Sequence, residues 1–497
     1  MGVLLLVLLS SVNFSGRFQF LAYYDSTAGM PSSSCVRWIF EPQINIAGMP
    51  VKLNLNFIRP EVYLKEQLES FTISFSPERL IPHLPGVPSF FLKFPGIDIG
   101  YTEPFFSPLV LSGITIKGFN IKYSPWKIFI QSASGYIESS MDSLYYRREI
   151  RAYKFGVGRP EYSHVHFHFL HSWDAGATSE DTISPMENFV VGMESRLSIK
   201  RAISLFWELN VSEITEDTRD TVISKEDIPG WIREIFKPRL SSHADLAFNG
   251  GLQLQAGGLS VATSTYYVGP GYRSFGADNV KTDVLGYKVE INLSTFNGLV
   301  NLGSSISNYR DNLLNDKVVT TKTSDLSVYF GISPVRLPSL FVSYEIVKDR
   351  GEVEILTRNY SLSSGYGYSL AGTFMFTGIS FSHQENVDSL SGSPAYNTLS
   401  LNHSISLKIP LSINLFASAI SGDYSSTSSG FDFSYMIGNL RPYLGMEFIS
   451  EDENRSSFFR AGLNGRLPLG FNIYGQARIS GGERSQRHFN LSIVRNW

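Results

Sequence analysis

Apolar and polar residues alternate along this chain over lengths that suit a bilayer-crossing strand. In residues 398–409, Leu399, Leu401, Ile405, Leu407 and Ile409 alternate with Ser400, Asn402, Ser404, Ser406 and Lys408. In residues 287–295, Tyr287, Val289, Ile291 and Leu293 alternate with Lys288, Glu290, Asn292 and Ser294. Side chains on a strand point to opposite faces in turn, so each segment has one apolar and one polar face. Runs of this kind match the roughly 9–11 residues of a transmembrane strand. Strands of soluble sheets are usually nearer five or six residues. Further β-like segments occupy residues 36–47, 51–57 and 71–75, and helical periodicity is almost absent.

The connections between these segments alternate in length. Tight turns are expected at 124–125, 159–161, 200–202, 257–258, 297–298, 335–338, 370–372, 410–411, 438–442 and 468–470. Long polar loops are expected around 139–148, 174–187, 213–242, 269–283, 310–323, 384–395, 422–429 and 451–456. Short periplasmic turns alternating with long outer loops predict an all-β fold, a single transmembrane antiparallel up-and-down β-barrel of about 22–26 strands. An even strand number returns both ends of the barrel to the periplasm. Residues 77–88 form a proline-rich interruption, and nothing marks a second domain, so residues 16–497 read as one barrel.

Composition narrows the choice. The chain has 497 residues, a net charge of −3, 18% charged and 13% aromatic residues. Its mean hydropathy of −0.03 is neutral, as expected where apolar and polar faces alternate. Beyond the N-terminus no run approaches the roughly 20 apolar residues of a membrane helix, which excludes a helical membrane protein. No basic excess points to nucleic acid. Cys35 stands alone, so no intramolecular disulfide or thiolate metal cluster is expected. Residues 2–9 are an apolar run of signal-peptide length with no Lys or Arg before it, and residues 1–15 are expected to be a signal peptide cleaved between positions 10 and 15.

The last segment, Gln486-Arg-His-Phe-Asn-Leu-Ser-Ile-Val-Arg-Asn-Trp497, places Phe489, Leu491, Ile493 and Trp497 on one face. His488, Asn490, Ser492 and Asn496 take the other. The segment resembles the C-terminal signal strand of bacterial outer-membrane β-barrels, with Trp where Phe is usual and Arg495 on the apolar face. Glu103-Pro-Phe-Phe-Ser-Pro-Leu-Val-Leu-Ser-Gly113, Ser184-Pro-Met-Glu-Asn-Phe-Val-Val-Gly192 and Tyr309-Arg-Asp-Asn-Leu-Leu-Asn-Asp-Lys317 resemble segments of large outer-membrane β-barrel proteins of Bacteroidota and related phyla. These resemblances imply an integral, multi-pass outer-membrane location. They also imply contact with outer-membrane lipid and recognition by the barrel-assembly machinery through the last strand. They transfer no catalytic residue.

Candidate chemistry is sparse. In Ser163-His-Val-His-Phe-His-Phe-Leu-His171, alternation puts His164, His166 and His168 on the polar face, a weak candidate for a lumenal metal site. Lys288, Glu290, Asn292, Asn402, Ser404 and Lys408 are expected to line the lumen. Glu194, Arg196 and Glu208 share that polar class, and both signs of charge suggest local transverse fields. In Asn402-His403-Ser404 the histidine projects away from its neighbours, so no triad forms within that strand, and no enzyme or cofactor is expected. Residues 224–238 read as the one good helix, with an apolar stripe of Ile228, Trp231, Ile232 and Ile235 that can lie on the outer rim, constrict the lumen or bind a partner. Gly269-Pro-Gly-Tyr-Arg-Ser-Phe-Gly276 reads as glycine turns. The leading expectation is a porin-like channel or transport protein whose lumen is narrowed by long loops. The alternative is a barrel plugged by an outer-membrane or periplasmic protein and serving secretion, assembly or surface attachment, with an outer-membrane enzyme third.

Overall fold

The computed structural model describes residues 12–27, 32–46, 49–60, 67–75, 95–137, 147–160, 162–175, 184–200, 202–223, 237–277, 279–388, 394–423, 425–451, 454–481 and 486–497. The first sector of the wall comprises β1 (Val12–Thr27), β2 (Ser33–Ile46), β3 (Met49–Pro60) and β4 (Gln67–Phe75). The second comprises β5 (Gly96–Thr102), β6 (Ile116–Tyr123), β7 (Ile128–Ile137), β8 (Arg147–Gly158), β9 (His164–Ala175), β10 (Glu187–Ile199), β11 (Ile203–Thr215), β12 (Ser242–Ala256), β13 (Leu259–Val268), β14 (Val284–Thr295), β15 (Val300–Asp311) and β16 (Lys322–Ile332). The third comprises β17 (Ser339–Arg350), β18 (Glu354–Leu370), β19 (Thr373–Asp388), β20 (Ala395–Ser406), β21 (Leu411–Gly422), β22 (Ser426–Tyr435), β23 (Leu440–Glu451), β24 (Asn454–Arg466), β25 (Phe471–Gly481) and β26 (Gln486–Asn496).

Each strand pairs antiparallel with its sequence neighbours, and β1 pairs with β26, so the 26-stranded sheet closes on itself. The strands alternate as the sequence predicts. On β8, Tyr153, Phe155 and Val157 are exposed on the outer surface while Ala152 and Lys154 are buried inside. A closed wall leaves no sheet edge, which is the condition for strands to cross a bilayer. Apolar outside and polar inside, the chain is an integral outer-membrane barrel.

At the seam, Arg17 lies opposite Asn496, Phe20 opposite Ile493 and Tyr24 opposite Phe489. Two further hydrogen bonds extend it, Gly16 N–H to the Trp497 carbonyl (2.9 Å) and Trp497 N–H to the Gly16 carbonyl (3.0 Å). Phe489, Leu491, Ile493 and Trp497 share the outer face, where Trp497 stacks on Phe40 with ring centroids 5.9 Å apart. Arg495, out of place on an apolar face, lays its guanidinium over the Phe471 ring 5.0 Å from the centroid. β1 starts at Val12, inside the interval where signal cleavage is expected, and residues 1–11 lie outside the described ones.

Every predicted tight turn recurs at the end of the barrel where β1 starts and β26 ends, called the base below. At the β18–β19 turn, Ala371 and Gly372 have φ of 50° and 78°, the pair of positive values that a two-residue type I′ hairpin needs. The base has one long connection, between Phe75 of β4 and Gly96 of β5, which holds the proline-rich interruption. At the top, the loops on β5 to β16 are long, but those expected around 422–429 and 451–456 are shorter than the sequence suggests. There the polar, glycine- and serine-rich residues continue the strands, because a strand above the bilayer needs no apolar face to keep its ladder. The turn between Arg350 and Glu354 went unrecognised for the same reason, being polar residues embedded in longer strands.

A Cβ at Gly16 would sit 2.6 Å from the Trp497 ring and 2.9 Å from the Glu41 carbonyl. Gly16→Val is therefore expected to weaken the seam by roughly 1–3 kcal/mol. The check is the temperature at which the folded, fast-migrating band is lost on semi-native gels; an unchanged transition would remove the seam from the stability argument.

Candidate functional site

The interior is occupied along one wall by two loops that turn inward. Residues 103–115, between β5 and β6, hold the run Phe105-Phe-Ser-Pro-Leu-Val-Leu111, which is apolar without alternation and is broken by Pro104 and Pro108. Such a run cannot hold a ladder strand, and its apolar residues must find a core elsewhere. Phe106, Leu109, Val110 and Leu111 are fully buried against inward-facing Ala133, Ile150, Ala152, Leu170, Val190 and Val268. Each such burial contributes roughly 1.5–3 kcal/mol relative to exposure.

Residues 269–283, between β13 and β14, complete this lumenal core with Tyr272 and Phe275. The segment is more than a set of glycine turns. The Tyr272 hydroxyl donates to the Leu109 carbonyl (2.8 Å), Ser274 Oγ to the Val110 carbonyl (2.6 Å), and Ser112 N–H to the Gly276 carbonyl (2.8 Å). Asn188 of β10 binds both sides of the loop, with Nδ2 donating to the Arg273 carbonyl (2.9 Å) and Oδ1 accepting from Phe275 N–H (3.1 Å). Arg148 of β8 pairs with Asp174 (2.7 and 3.1 Å) and covers the Phe275 ring 3.8 Å from its centroid. Two of the resemblance-bearing segments, 103–113 and 184–192, thus meet in one plug.

Under the plug sits a polar cluster on β8 to β11. His164, His166 and His168 face inward as alternation predicts, and Val165 and Phe167 face out. The structure nevertheless divides the three histidines. His164 Nε2 and His166 Nδ1 lie 3.4 Å and 3.2 Å from Oε1 of Glu194, which the β9–β10 register places beside them. Their other nitrogens face backbone carbonyls, His164 Nδ1 to Tyr162 (2.8 Å) and His166 Nε2 to Gly158 (3.3 Å). His168 belongs to a second network, with Nε2 2.5 Å from Asn210 Oδ1 and Asn210 Nδ2 donating to Glu208 (2.7 Å). The reason is the register: Gly192, with no side chain to offer, lies opposite His168, so its partner comes from one strand further on.

Lys154 joins cluster and plug. Its ammonium lies 2.5 Å from Glu194 Oε1 and donates to the Phe106 carbonyl at 2.5 Å. A cavity of about 450 Å³ opens on Lys154, His164, Glu194 and Glu208 from beneath Phe105 and Pro108. The sequence marked Glu194 and Glu208 only as polar-face charges, and Lys154 not at all. Their roles depend on pairing between strands, which a single alternating segment does not encode.

Beside the plug, a polar cavity of about 930 Å³ among the described residues runs along β1 to β5 up to Glu103 of the β5–β6 loop, lined also by Arg17, Arg37, Glu41, Lys52 and Asp98. Of the expected lumen residues, Lys288 and Glu290 form an ion pair on the inward face of β14, and Asn292 accepts a hydrogen bond from the Tyr329 hydroxyl (2.9 Å). Asn402 and Ser404 take the face of β20 opposite Leu399 and Leu401, and Lys408 lies in the β20–β21 turn. His403 points the other way and meets Thr377 Oγ1 at 2.8 Å. Ile228, Trp231, Ile232 and Ile235 lie outside the described residues; among the described ones, the segments that turn inward are 103–115, 269–277 and 279–283.

No family model and no curated protein matches the sequence. Solved structures resemble the fold. The translocation pore of the P pilus usher PapC matches with a TM-score of 0.38 and 9% identity over 97% of this chain and 99% of that one. The siderophore receptor PirA of Pseudomonas aeruginosa gives 0.44 and 6% over 98% and 80%, and OccAB2 of Acinetobacter baumannii gives 0.36 and 7% over 70% and 98%. At this level of identity the likeness concerns architecture alone.

Tyr272→Phe removes the hydroxyl from the buried Leu109 carbonyl, a loss of about 1–3 kcal/mol to the plug. Faster amide exchange in residues 103–115 with an unchanged barrel is the expected result, measured by hydrogen exchange and mass spectrometry. A second prediction concerns pH at the rim. Burial pushes the Asp283 carboxyl up, but the Lys317 ammonium and the Leu313 and Asn312 N–H donors outweigh it, so the group titrates below the usual carboxylate range. A depressed folded value stabilises above the ordinary carboxylate range and is lost as pH falls through the folded value. Residues 312–321 are therefore expected to stay protected down to the ordinary carboxylate range and to lose protection only below it, and Asp283→Asn should abolish that step.

Proposed function

We propose that this barrel is an outer-membrane channel for small hydrophilic solutes, which pass between the lumenal plug and the open polar wall. The observation that carries the reading is the one-sided packing of the two infolded loops. They are anchored by an apolar core to β6 through β14 and, among the described residues, leave the charged bay on β1 to β5 uncovered. A barrel of this size is too wide for side chains alone to fill, so loops packed against one sector of its wall set the aperture. The bay carries both signs of charge, which favours selection by transverse field and size over selection by one net charge.

Lumen-facing Lys288, Glu290, Asn292, Asn402 and Ser404 extend this polar surface, with Lys408 at its base end. The resemblance to large Bacteroidota barrels fits this location, and the apolar outer face of β26 fits contact with lipid and recognition by the barrel-assembly machinery. The apolar leader at residues 2–9 is read as an export signal removed before insertion.

Single-channel recording in planar bilayers tests the proposal. The intact protein is expected to conduct steadily, and replacing residues 105–112 by a short Gly-Ser linker to raise conductance at least about twofold, since the aperture widens. A silent intact barrel that conducts only after the replacement would point to the partner-plugged alternative. Silence in both forms would end the channel reading.

A further inference from the structure

We infer that His164, His166 and Glu194 form a binding site for a divalent transition-metal ion of the zinc class, in competition with the Lys154 ammonium. Three ligand atoms, His164 Nε2, His166 Nδ1 and a Glu194 oxygen, lie within 4.8 Å of one another. In a tetrahedral zinc site with bonds of about 2.0–2.1 Å, ligand atoms stand about 3.3 Å apart. The two histidine-to-carboxylate separations are 3.4 and 3.2 Å. Only the two imidazoles, stacked with centroids 4.4 Å apart, must tilt to close the third side.

The hydrogen bonds supply the second argument. A carbonyl accepts and cannot donate, so the Tyr162 and Gly158 carbonyls hold protons on His164 Nδ1 and His166 Nε2. In the neutral rings this turns two lone pairs toward a carboxylate oxygen, an arrangement of acceptors that a cation between them resolves. Ligand histidines are commonly oriented by such a carbonyl on the far nitrogen. Three protein ligands leave a fourth position, and the 450 Å³ cavity beside Glu194 and His164 admits solvent to it. Imidazole and carboxylate donors without a thiolate suit zinc-class ions better than calcium or magnesium, which take all-oxygen shells.

Lys154 is the competitor. Its ammonium occupies the same Oε1 that both histidines face, so metal occupancy draws the carboxylate away and leaves Lys154 with the Phe106 carbonyl.

The test is isothermal titration of ZnCl₂ into the full-length, detergent-purified barrel carrying no histidine tag. One saturable equivalent is expected, weakened more than about a hundredfold by His164→Ala or His166→Ala, since losing a ligand costs more than losing a group that only orients one. His168→Ala, outside the ligand set, should bind as the parent does. Lys154→Met should bind more tightly, and heat-modifiable mobility verifies that each variant is folded. Absence of saturable binding, or equal loss in folded His168→Ala, would overturn the site and leave the rings as hydrogen-bond partners of Glu194. Because the readout is binding, it stands apart from conductance.

Discussion

Every structural feature of this chain depends on one requirement, that no backbone N–H or C=O be left unpaired in the hydrocarbon layer. An unsatisfied group there costs several kcal/mol. The pairing of β1 with β26 meets that requirement for the whole wall at once, and the two Gly16–Trp497 bonds carry it to the final residue. Even Arg495 is accommodated in these terms, its charge spread over an aromatic face where a bare ammonium would be costly.

Closure then creates the second problem, an interior wider than its own side chains. The chain answers it unevenly. Apolar residues that elsewhere face lipid are placed on loops, and Phe106, Leu109, Leu111, Tyr272 and Phe275 build inside the lumen a core like that of a soluble domain. The inward faces beneath it have adapted. Ala133, Ile150, Ala152, Leu170 and Val190 are apolar where an open channel would carry polar residues, whereas the adjoining wall of β2 to β5 keeps Arg37, Glu41, Lys52 and Asp98. The inward face thus records what covers it.

This division explains what was legible in the sequence. Alternation such as Leu399/Ser400/Leu401/Asn402 is a local property imposed by lipid and water, so strands, faces and base turns could be read directly. The plug obeys no local rule. The Phe105–Leu111 run looks like a poor strand, and the loop after Gly269 looks like turns, because their partners lie more than a hundred residues away, as in the Tyr272–Leu109 bond. The histidines show both sides of this limit. Their shared face follows from period two, but the grouping of His164 and His166 with Glu194, and of His168 with Asn210, follows from cross-strand register and the missing side chain at Gly192.

Lys154 is where wall, plug and cluster become one system. A charged group with 4% side-chain exposure needs compensation, and Lys154 finds it in two bonds, one to a strand carboxylate and one to a loop carbonyl. Neither alone satisfies an ammonium that has left water. The plug is therefore held by packing, which is broad and non-directional, and by directional contacts, among which Asn188 fixes the β13–β14 loop and Lys154 binds the Phe106 carbonyl of the β5–β6 loop. Packing resists removal of the loop as a whole, while a change in the charge around Glu194 acts first on the Phe106 contact. Any chemistry at Glu194 is thus coupled to the position of the β5–β6 loop, because both depend on the same ammonium.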